Sequence, residues 1–179
     1  EHALVHHLSN SNKITKIYSI PGNAGTEEIS LNVDLNLENF QDLYDFIYKE
    51  QIELVIVGPE KPLVEGLVDF LESKNIKVFG PRKKVAQLEG SKIFTKQICE
   101  KFNIPTAKFK ICKSKEDSFI FLSSSNFPLV VKADVLAAGK GVYICQNVDE
   151  AKTAVNEIFD GKFGNCLLYT SDAADDQCC

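Results

Sequence analysis

Short apolar runs and helix-patterned segments alternate along the first half of the chain, and this alternation is the strongest constraint on its fold. Apolar runs at 16–20, 53–57 and 77–79 are each followed by a loop that contains Gly and Pro. After the first two loops, apolar residues recur at helical spacing, in residues 37–49 and 63–71. Strands that alternate with helices in this way predict a doubly wound parallel sheet. We therefore predict an α/β fold for residues 1–86.

The three loops that follow these strands form a candidate ligand site. They occupy residues 21–26, 58–62 and 80–82. In a doubly wound sheet, ligands bind in the crevice outside the carboxyl ends of the strands. Gly and Pro also mark ordinary turns, so each loop by itself is ambiguous. Their expected position along one edge favours a ligand site, with Asn23 and Glu60 as the polar groups best placed to reach into it.

The second half of the chain has a different order of elements. We predict helices at 90–103, 115–124 and 147–160, and strands at 106–112, 128–133 and 141–145. The last two strands are joined by a short loop, so they are expected to pair antiparallel. The second half is therefore predicted to be α+β, and we place the division between the halves after residue 86.

Composition excludes several classes of protein. The 179 residues carry a net charge of −5, which argues against binding along a nucleic-acid backbone. No apolar run approaches the ~20 residues of a membrane span, and the start of the chain shows no signal-peptide pattern. Cys99, Cys112 and Cys145 are isolated among apolar residues, which predicts buried thiols in a reducing compartment. The cysteines also lack the spacing of a zinc site.

The segment 130–144, VVKADVLAAGKGVYI, places lysines and glycines between two apolar runs. The P-loop pattern would require Gly at 134 and Ser or Thr at 141, whereas the chain has Asp134 and Gly141. The small residues at 137–141 still allow close approach of the backbone to a charged ligand. Taken alone, this segment is either a phosphate-binding flap or a lysine-bearing hairpin.

Two lysines favour an anion near this segment. Lys132 interrupts a run that is otherwise apolar, and burying an ammonium group without a partner is costly. A bound anion or the carboxylate of Asp134 would compensate its charge. Lys92 lies at a predicted helix N-terminus, where N–H groups and the helix dipole favour anions. A solvated surface lysine remains the alternative for Lys92.

At this point the motifs show a resemblance to a known family. QLEGSK at 87–92 and VVKAD-LAAGKGV in the later segment resemble the first half of an ATP-grasp domain. The upstream motifs, in chain order, are EHAL at 1–4, PGNAGT at 21–26, GPEKPLVEG at 58–66 and FGP at 79–81. Together they are similar to the glycinamide ribonucleotide synthetase (phosphoribosylamine–glycine ligase) family.

The resemblance implies three segments. Residues 1–86 would be the pre-ATP-grasp domain without its first strand, and 87–164 the first part of the ATP-grasp domain. Residues 165–179 resemble translated cloning or adapter sequence and are interpreted as a non-native tail. Val135 stands where the family usually has Gly, and a β-branched residue is disfavoured at positive φ.

The resemblance also implies an activity in de novo purine synthesis, located in the cytoplasm. ATP would phosphorylate glycine, and 5-phosphoribosylamine would attack the glycyl phosphate. ATP and Mg²⁺ or Mn²⁺ are the implied cofactors, with the metal ligands and the rest of the cleft in a missing C-terminal part. The fragment would then be inactive. The alternatives are another ATP-grasp carboxylate–amine ligase and a non-catalytic nucleotide-binding module.

Site residues carried over from the family motifs fall into two groups. The resemblance implies ATP contacts for Lys92, Lys132, Asp134, Gly139, Lys140 and Gly141. It implies contacts on the phosphoribosylamine side for Glu1, His2, Gly22, Asn23, Gly25, Thr26, Gly58, Pro59 and Glu60. Neither a catalytic residue nor a metal ligand is assigned within the chain itself.

Overall fold

The computed structural model describes residues 1–136, 140–164 and 167–172. The chain divides into two compact units, 1–84 and 85–179. Unit 1 contains α1 His2–Ser9, β1 Tyr18–Ser19, α2 Ala24–Glu27, β2 Leu31–Asn32, α3 Phe40–Lys49, β3 Val55–Ile56, α4 Glu60–Glu65, α5 Leu67–Ser73 and β4 Val78–Phe79. Helix α6, Lys83–Gly90, spans the division that the sequence placed after residue 86.

Unit 1 is an α/β unit with parallel strands, as predicted. Its described ladders are two parallel pairs, β1 with β2 and β3 with β4. Strand β2 was not predicted, because it has two residues and both are exposed. The core of the unit lies between helices α3 and α5, where Ile47, Val68 and Leu71 are almost completely buried. Apolar residues at helical spacing on both helices therefore supply the packing that the sequence pattern indicated.

Unit 2 is built on a four-stranded antiparallel sheet. Its further elements are α7 Lys92–Lys101, β5 Phe109–Cys112, α8 Lys115–Ser123, β6 Leu129–Ala133, β7 Val142–Cys145, α9 Val148–Phe159 and β8 Leu168–Asp172. The strand order is β5-β8-β6-β7. The predicted antiparallel pairing of the strands around the lysine-bearing loop is confirmed, with Lys132 opposite Val142.

One face of this sheet carries the hydrophobic core of unit 2. Val131 and Ala133 of β6 alternate with residues of the opposite face and pack in one cluster with Val155 and Ile158 of α9. Helix α8 contributes Leu122 to the same cluster. Lys132 lies between Val131 and Ala133 in β6, so the alternation of the strand places it on the face opposite the core, where it is partly buried.

Strand β8 comes from the segment that the sequence analysis assigned to a non-native tail. It lies between β5 and β6, so it occupies an internal position in the sheet. Leu168 is completely buried, and Tyr169 is 3% exposed. The origin of residues 165–179 stays a prediction, but residues 168–172 are an integral part of the sheet of unit 2.

Two of the three isolated cysteines are buried, as predicted, whereas Cys99 is partly exposed. Cys112 and Cys145 both belong to the core cluster of unit 2. Burial raises the pKa of the Cys145 thiol to about 11. Cys145 therefore stays a neutral thiol at physiological pH and acts as an apolar packing residue. None of the helices in the described part of the chain is long and apolar enough to cross a membrane.

Replacing Thr170 with Val is expected to stabilise unit 2 by about 1–2 kcal/mol. Thr170 is 1% exposed, and its Oγ1 has no hydrogen-bond partner among the described residues. Valine has nearly the same shape and removes the unsatisfied hydroxyl. Ser118→Ala is the control, because the buried Ser118 hydroxyl donates to Ser114 O at 2.8 Å and its loss should destabilise. Urea unfolding measures both changes, and a destabilised Thr170→Val variant would contradict the prediction.

Candidate functional site

The N-terminus of α7 and the end of β6 are joined through Asp134. The Asp134 carboxylate accepts hydrogen bonds from Ser91 Oγ at 2.8 Å and from Ile93 N at 3.0 Å. Ser91 is the N-cap of α7 and accepts from Phe94 N at 3.0 Å. The backbone N–H groups of Ile93 and Phe94 are at the helix N-terminus, where an anion was expected to bind. Both therefore already have acceptors within the protein. Asp134 supplies the negative charge that the helix dipole favours there.

Lys92 completes this junction from the helix side. Its Nζ donates to Val135 O at 2.8 Å and to Ala133 O at 3.3 Å, so it holds the backbone on both sides of Asp134. The side chain is partly buried. Lys92 thus binds the backbone on both sides of Asp134, and Asp134 binds the backbone N–H of Ile93, the residue after Lys92. These reciprocal hydrogen bonds fix where the loop after β6 begins.

Lys132 lies at the same end of β6. It stands opposite Val142 of β7 and Tyr169 of β8, and its Nζ is 5.7 Å from the centroid of the Tyr169 ring. The aromatic face is a favourable neighbour for an ammonium group. The structure therefore brings Lys92 and Lys132 to one strand end, where their charges can neutralise an anionic ligand such as a phosphate group.

Gly141 closes the loop on its other side. It is buried with φ +74°, a conformation that residues with a side chain rarely adopt. A Cβ at this position would lie 3.2 Å from Ala133 Cβ and 3.7 Å from the Phe163 ring. Lys140 is exposed, whereas Gly139 lies outside the described residues. Position 141, at the base of the predicted flap, therefore favours glycine for two reasons: its φ is positive, and a Cβ would crowd Ala133.

Val135 fits its position without the strain that positive φ would impose. It is not among the residues with positive φ, and it packs against the core cluster of unit 2. Its carbonyl accepts the hydrogen bond from Lys92. Valine at a position where the family usually has Gly is thus compatible with this backbone.

A group of residues that packs against Gly141 was not predicted from the sequence. Phe163 packs near Gly141 and makes an edge contact with Tyr143 at 6.3 Å between ring centroids. The Glu157 carboxylate accepts from Tyr143 Oη at 2.6 Å and from Lys162 Nζ at 2.5 Å. The Lys162 and Tyr143 hydrogen bonds lower the pKa of Glu157. The glycines on either side of Lys162–Phe163 were the available sequence signal.

The candidate substrate side in unit 1 brings two separate motifs into contact. Asn23 Nδ2 donates to Glu1 Oε2 at 3.2 Å. A Cβ on Gly25 would lie 3.0 Å from Cγ of the His2 ring, so glycine allows the imidazole to approach the loop. Asn23 and Thr26 form a capping box at the start of α2. Residues 1–2 and 21–26 thus form one local structure, although 18 residues separate them in sequence.

The GPE motif follows β3, with Gly58 and Pro59 exposed and Glu60 as the first residue of α4. The neighbouring loop follows β4, which is parallel to β3. A Cβ on Gly80 would lie 3.1 Å from Leu63 Cδ2. The carboxyl ends of β3 and β4 therefore share one edge, which confirms the prediction for two of the three loops. Strand β1 pairs with β2 in a separate described ladder, so the position of loop 21–26 along that edge stays a prediction. Among the described residues, no group of three or more His, Cys, Asp or Glu could hold a metal ion.

Comparison with known families resolves the assignment. Residues 1–89 match the model of the phosphoribosylglycinamide synthetase N domain, and residues 90–168 match the model of its ATP-grasp (A) domain. The chain belongs to the phosphoribosylglycinamide synthetase family. The resemblance seen in the motifs is thereby confirmed, and the ATP-grasp match ends at the first residue of β8.

Curated relatives in this family are named phosphoribosylamine–glycine ligase. The ligase of Caldanaerobacter subterraneus subsp. tengcongensis is 46% identical over 156 residues, which are 87% of this chain and 37% of the relative. The ligase of Rhizobium meliloti is 46% identical over 164 residues, or 92% of this chain and 39% of the relative. The chain thus spans about two fifths of the length of these relatives.

Solved structures agree with the family fold. The phosphoribosylamine–glycine ligase of Thermotoga maritima is 29% identical with a TM-score of 0.74, covering 96% of this chain and 40% of that one. The N5-carboxyaminoimidazole ribonucleotide synthetase of Thermus thermophilus is 18% identical with a TM-score of 0.69, covering 96% of this chain and 43% of that one. The second likeness supports the ATP-grasp fold alone.

Proposed function

We propose that this chain supplies the N domain and the first part of the ATP-grasp domain of an ATP-dependent ligase. The full ligase joins glycine to 5-phosphoribosylamine in de novo purine synthesis in the cytoplasm. The observation that carries the proposal is the placement of Lys92 and Lys132 at the end of β6, next to the Gly141 hairpin, in a chain of this family. Relatives that share both domains are named for this reaction.

In the proposed reaction, a glycine carboxylate oxygen attacks the γ-phosphorus of ATP, and ADP leaves. The amine of phosphoribosylamine then attacks the acyl carbon of glycyl phosphate. Inorganic phosphate leaves with the oxygen that glycine supplied, and the amine loses one proton. Phosphoryl transfer requires mainly positioning and charge neutralisation from the protein. Lys132, Lys92 and the hairpin glycines are suited to both tasks.

The residues of unit 2 divide this work. Lys92, Lys132 and Lys140 neutralise phosphate charge. Lys92 also holds the start of the flap through the backbone of Ala133 and Val135, and Asp134 holds it through the backbone N–H of Ile93. Gly139 and Gly141 allow the backbone to approach the phosphates. Mg²⁺ or Mn²⁺, when bound, would supply positive charge that offsets the charge of the phosphates. Its ligands are proposed to lie in the three fifths of the relatives that this chain does not span.

The residues of unit 1 serve the phosphoribosylamine side. The proposed contacts come from Glu1, His2, Gly22, Asn23, Gly25, Thr26, Gly58, Pro59 and Glu60. The hydrogen bond between Asn23 and Glu1 and the contact of His2 with Gly25 support a common role for the first two motifs. Backbone N–H groups and an asparagine amide are suitable donors to phosphate and ribose oxygens.

A chimaeric ligase tests this function. In it, residues 1–164 of this chain replace the matching segment of the Caldanaerobacter ligase. We expect ADP formation that requires both glycine and phosphoribosylamine, which forms in the assay from ribose 5-phosphate and ammonia. The isolated 179-residue chain should show no ligation. ADP formation that needs a different carboxylate or amine would identify another ligase, and nucleotide binding without turnover would identify a binding module.

A further inference from the structure

We propose that Asn32, in β2, is a positioning residue that holds loop 21–26 in its binding conformation. The inference rests on the proposed function, because it assigns Asn32 to the phosphoribosylamine side of that ligase. Asn32 lies outside all the motifs that carry the family resemblance. Asn32 lies beside the loop in the folded chain because β2 pairs with β1 and the loop follows β1 directly.

Hydrogen bonds join the Asn32 amide to both residues of the α2 capping box. Its Nδ2 donates to Asn23 O at 2.9 Å. Its Oδ1 accepts from Thr26 Oγ1 at 2.8 Å. The Thr26 hydroxyl in turn accepts from Asn23 N at 2.8 Å, and Thr26 is completely buried. One amide therefore fixes the polar groups at both ends of the capping box.

Steric fit also couples Asn32 to the loop. Gly22 has φ +81°, and a Cβ on it would lie 2.2 Å from Asn32 Oδ1 and 2.3 Å from Asn32 Cγ. Real side chains do not approach so closely, so the Asn32 amide occupies the space beside Gly22. Glycine at 22 and asparagine at 32 are thus complementary, and the conformation of the loop depends on both.

The backbone of Asn32 is itself held in place. Asn32 pairs with Ser19 in the parallel ladder, and Val33 N donates to Ser19 O at 2.9 Å. Next to it, Ser30 Oγ donates to Thr26 O at 2.8 Å and lies 2.7 Å from Ser19 Oγ. Strand pairing therefore fixes the position of the Asn32 amide. The loop beside it has only one helical turn, α2, as regular structure. Asn32 acts on the substrate through the loop.

Kinetics of the chimaeric ligase provide the first test. Asn32→Ala should raise KM for phosphoribosylamine about tenfold, the effect of losing about 1.4 kcal/mol of loop order. KM for ATP and kcat should stay within about twofold, since unit 2 supplies the proposed ATP contacts. Asn32→Asp, which keeps the acceptor for Thr26, should give an intermediate KM. Asn36→Ala is the matched control, because Asn36 is exposed and accepts only locally from Glu38 N.

Amide hydrogen exchange in the 179-residue chain provides a test that does not depend on activity. Asn32→Ala should speed exchange of Thr26 and Glu27, whose N–H groups bind Asn23, by about tenfold. Exchange of Ile52, which donates to Ile47 O, should not change. Unchanged exchange at Thr26, or equal increases in KM for ATP and phosphoribosylamine, would overturn the inference. An unsubstituted chimaera that ignores phosphoribosylamine would instead overturn the proposed function.

Discussion

Replacing Lys132 with Met in the chimaeric ligase is expected to lower kcat/KM for ATP by about 10²–10³-fold. Removing one preorganised charge from a phosphoryl-transfer site typically has an effect of this size. Lys132 stands opposite Val142 of β7, and both residues lie in the 1–164 segment that the chimaera keeps, so strand pairing still presents its ammonium group. Met keeps the apolar stem of the side chain and removes only the charge.

Lys110→Met is the matched control for this experiment. Lys110 is a lysine of the same sheet, but it lies on the edge strand β5 and is exposed. We expect its kcat/KM for ATP to stay within about twofold of the unsubstituted value. A Lys132→Met variant that retains more than about a fifth of kcat/KM, with unchanged thermal stability, would show that Lys132 does not stabilise the transferring phosphate.

Replacing Leu168 with Ala is expected to destabilise unit 2 by about 2–5 kcal/mol. Leu168 is completely buried in the core cluster, where it stands opposite Ala133 and Cys112 in the neighbouring strands. The substitution removes apolar contacts on both sides of an internal strand. Because unfolding free energies of whole domains are only about 5–15 kcal/mol, unit 2 should unfold at a clearly lower temperature.

Leu167→Ala controls for this loss of a leucine side chain. Leu167 is the adjacent residue but is 41% exposed, and only its backbone carbonyl is needed to accept from Asp134 N at 2.9 Å. Its replacement should cost about 0.5 kcal/mol or less. Urea unfolding of the 179-residue chain, followed by amide signals of β5 and β6, compares the two variants. Equal effects would show that residues 168–172 do not form the internal strand.

Much of the architecture could be predicted from local patterns. Helix-spaced apolar residues in 37–49 and 63–71 predicted the helices that hold Ile47 and Leu71 in the core of unit 1. The short loop between two apolar strands predicted the antiparallel pair β6–β7. These signals are strong because burial imposes a period on the sequence wherever an element has one covered face. The family resemblance implied that residues 1–2 and 21–26 serve the same substrate, and the two segments do lie in contact.

Strand β2 and the site role of Asn32 could not be predicted in this way. A two-residue exposed strand has no periodicity, so nothing in ISLNV indicated pairing with β1. The hydrogen bonds from Asn32 to Asn23 and Thr26 exist only because that pairing brings the strand beside the loop. Side-chain support of this kind follows from tertiary structure and leaves little signal in the local sequence.

Strand β8 and the support for Gly141 escaped prediction for related reasons. The segment LYTSD is short, and its composition alone did not distinguish a strand from a tail. Its alternation becomes informative only in register with β6, where Leu168 joins the core and Tyr169 lies beside Lys132. Phe163 similarly gains its role from the turn after α9, which the hydrogen bonds to Glu157 hold in place.

The fate of the glycine carboxylate oxygens tests the central proposal most directly. The chimaeric ligase would receive ATP, phosphoribosylamine and glycine labelled with ¹⁸O in both carboxyl oxygens, and mass spectrometry would read the inorganic phosphate. A glycyl phosphate intermediate predicts one ¹⁸O atom in each phosphate released, because the attacking oxygen leaves with phosphorus. Phosphate without ¹⁸O, formed at the same rate as the amide product, would contradict the proposed reaction.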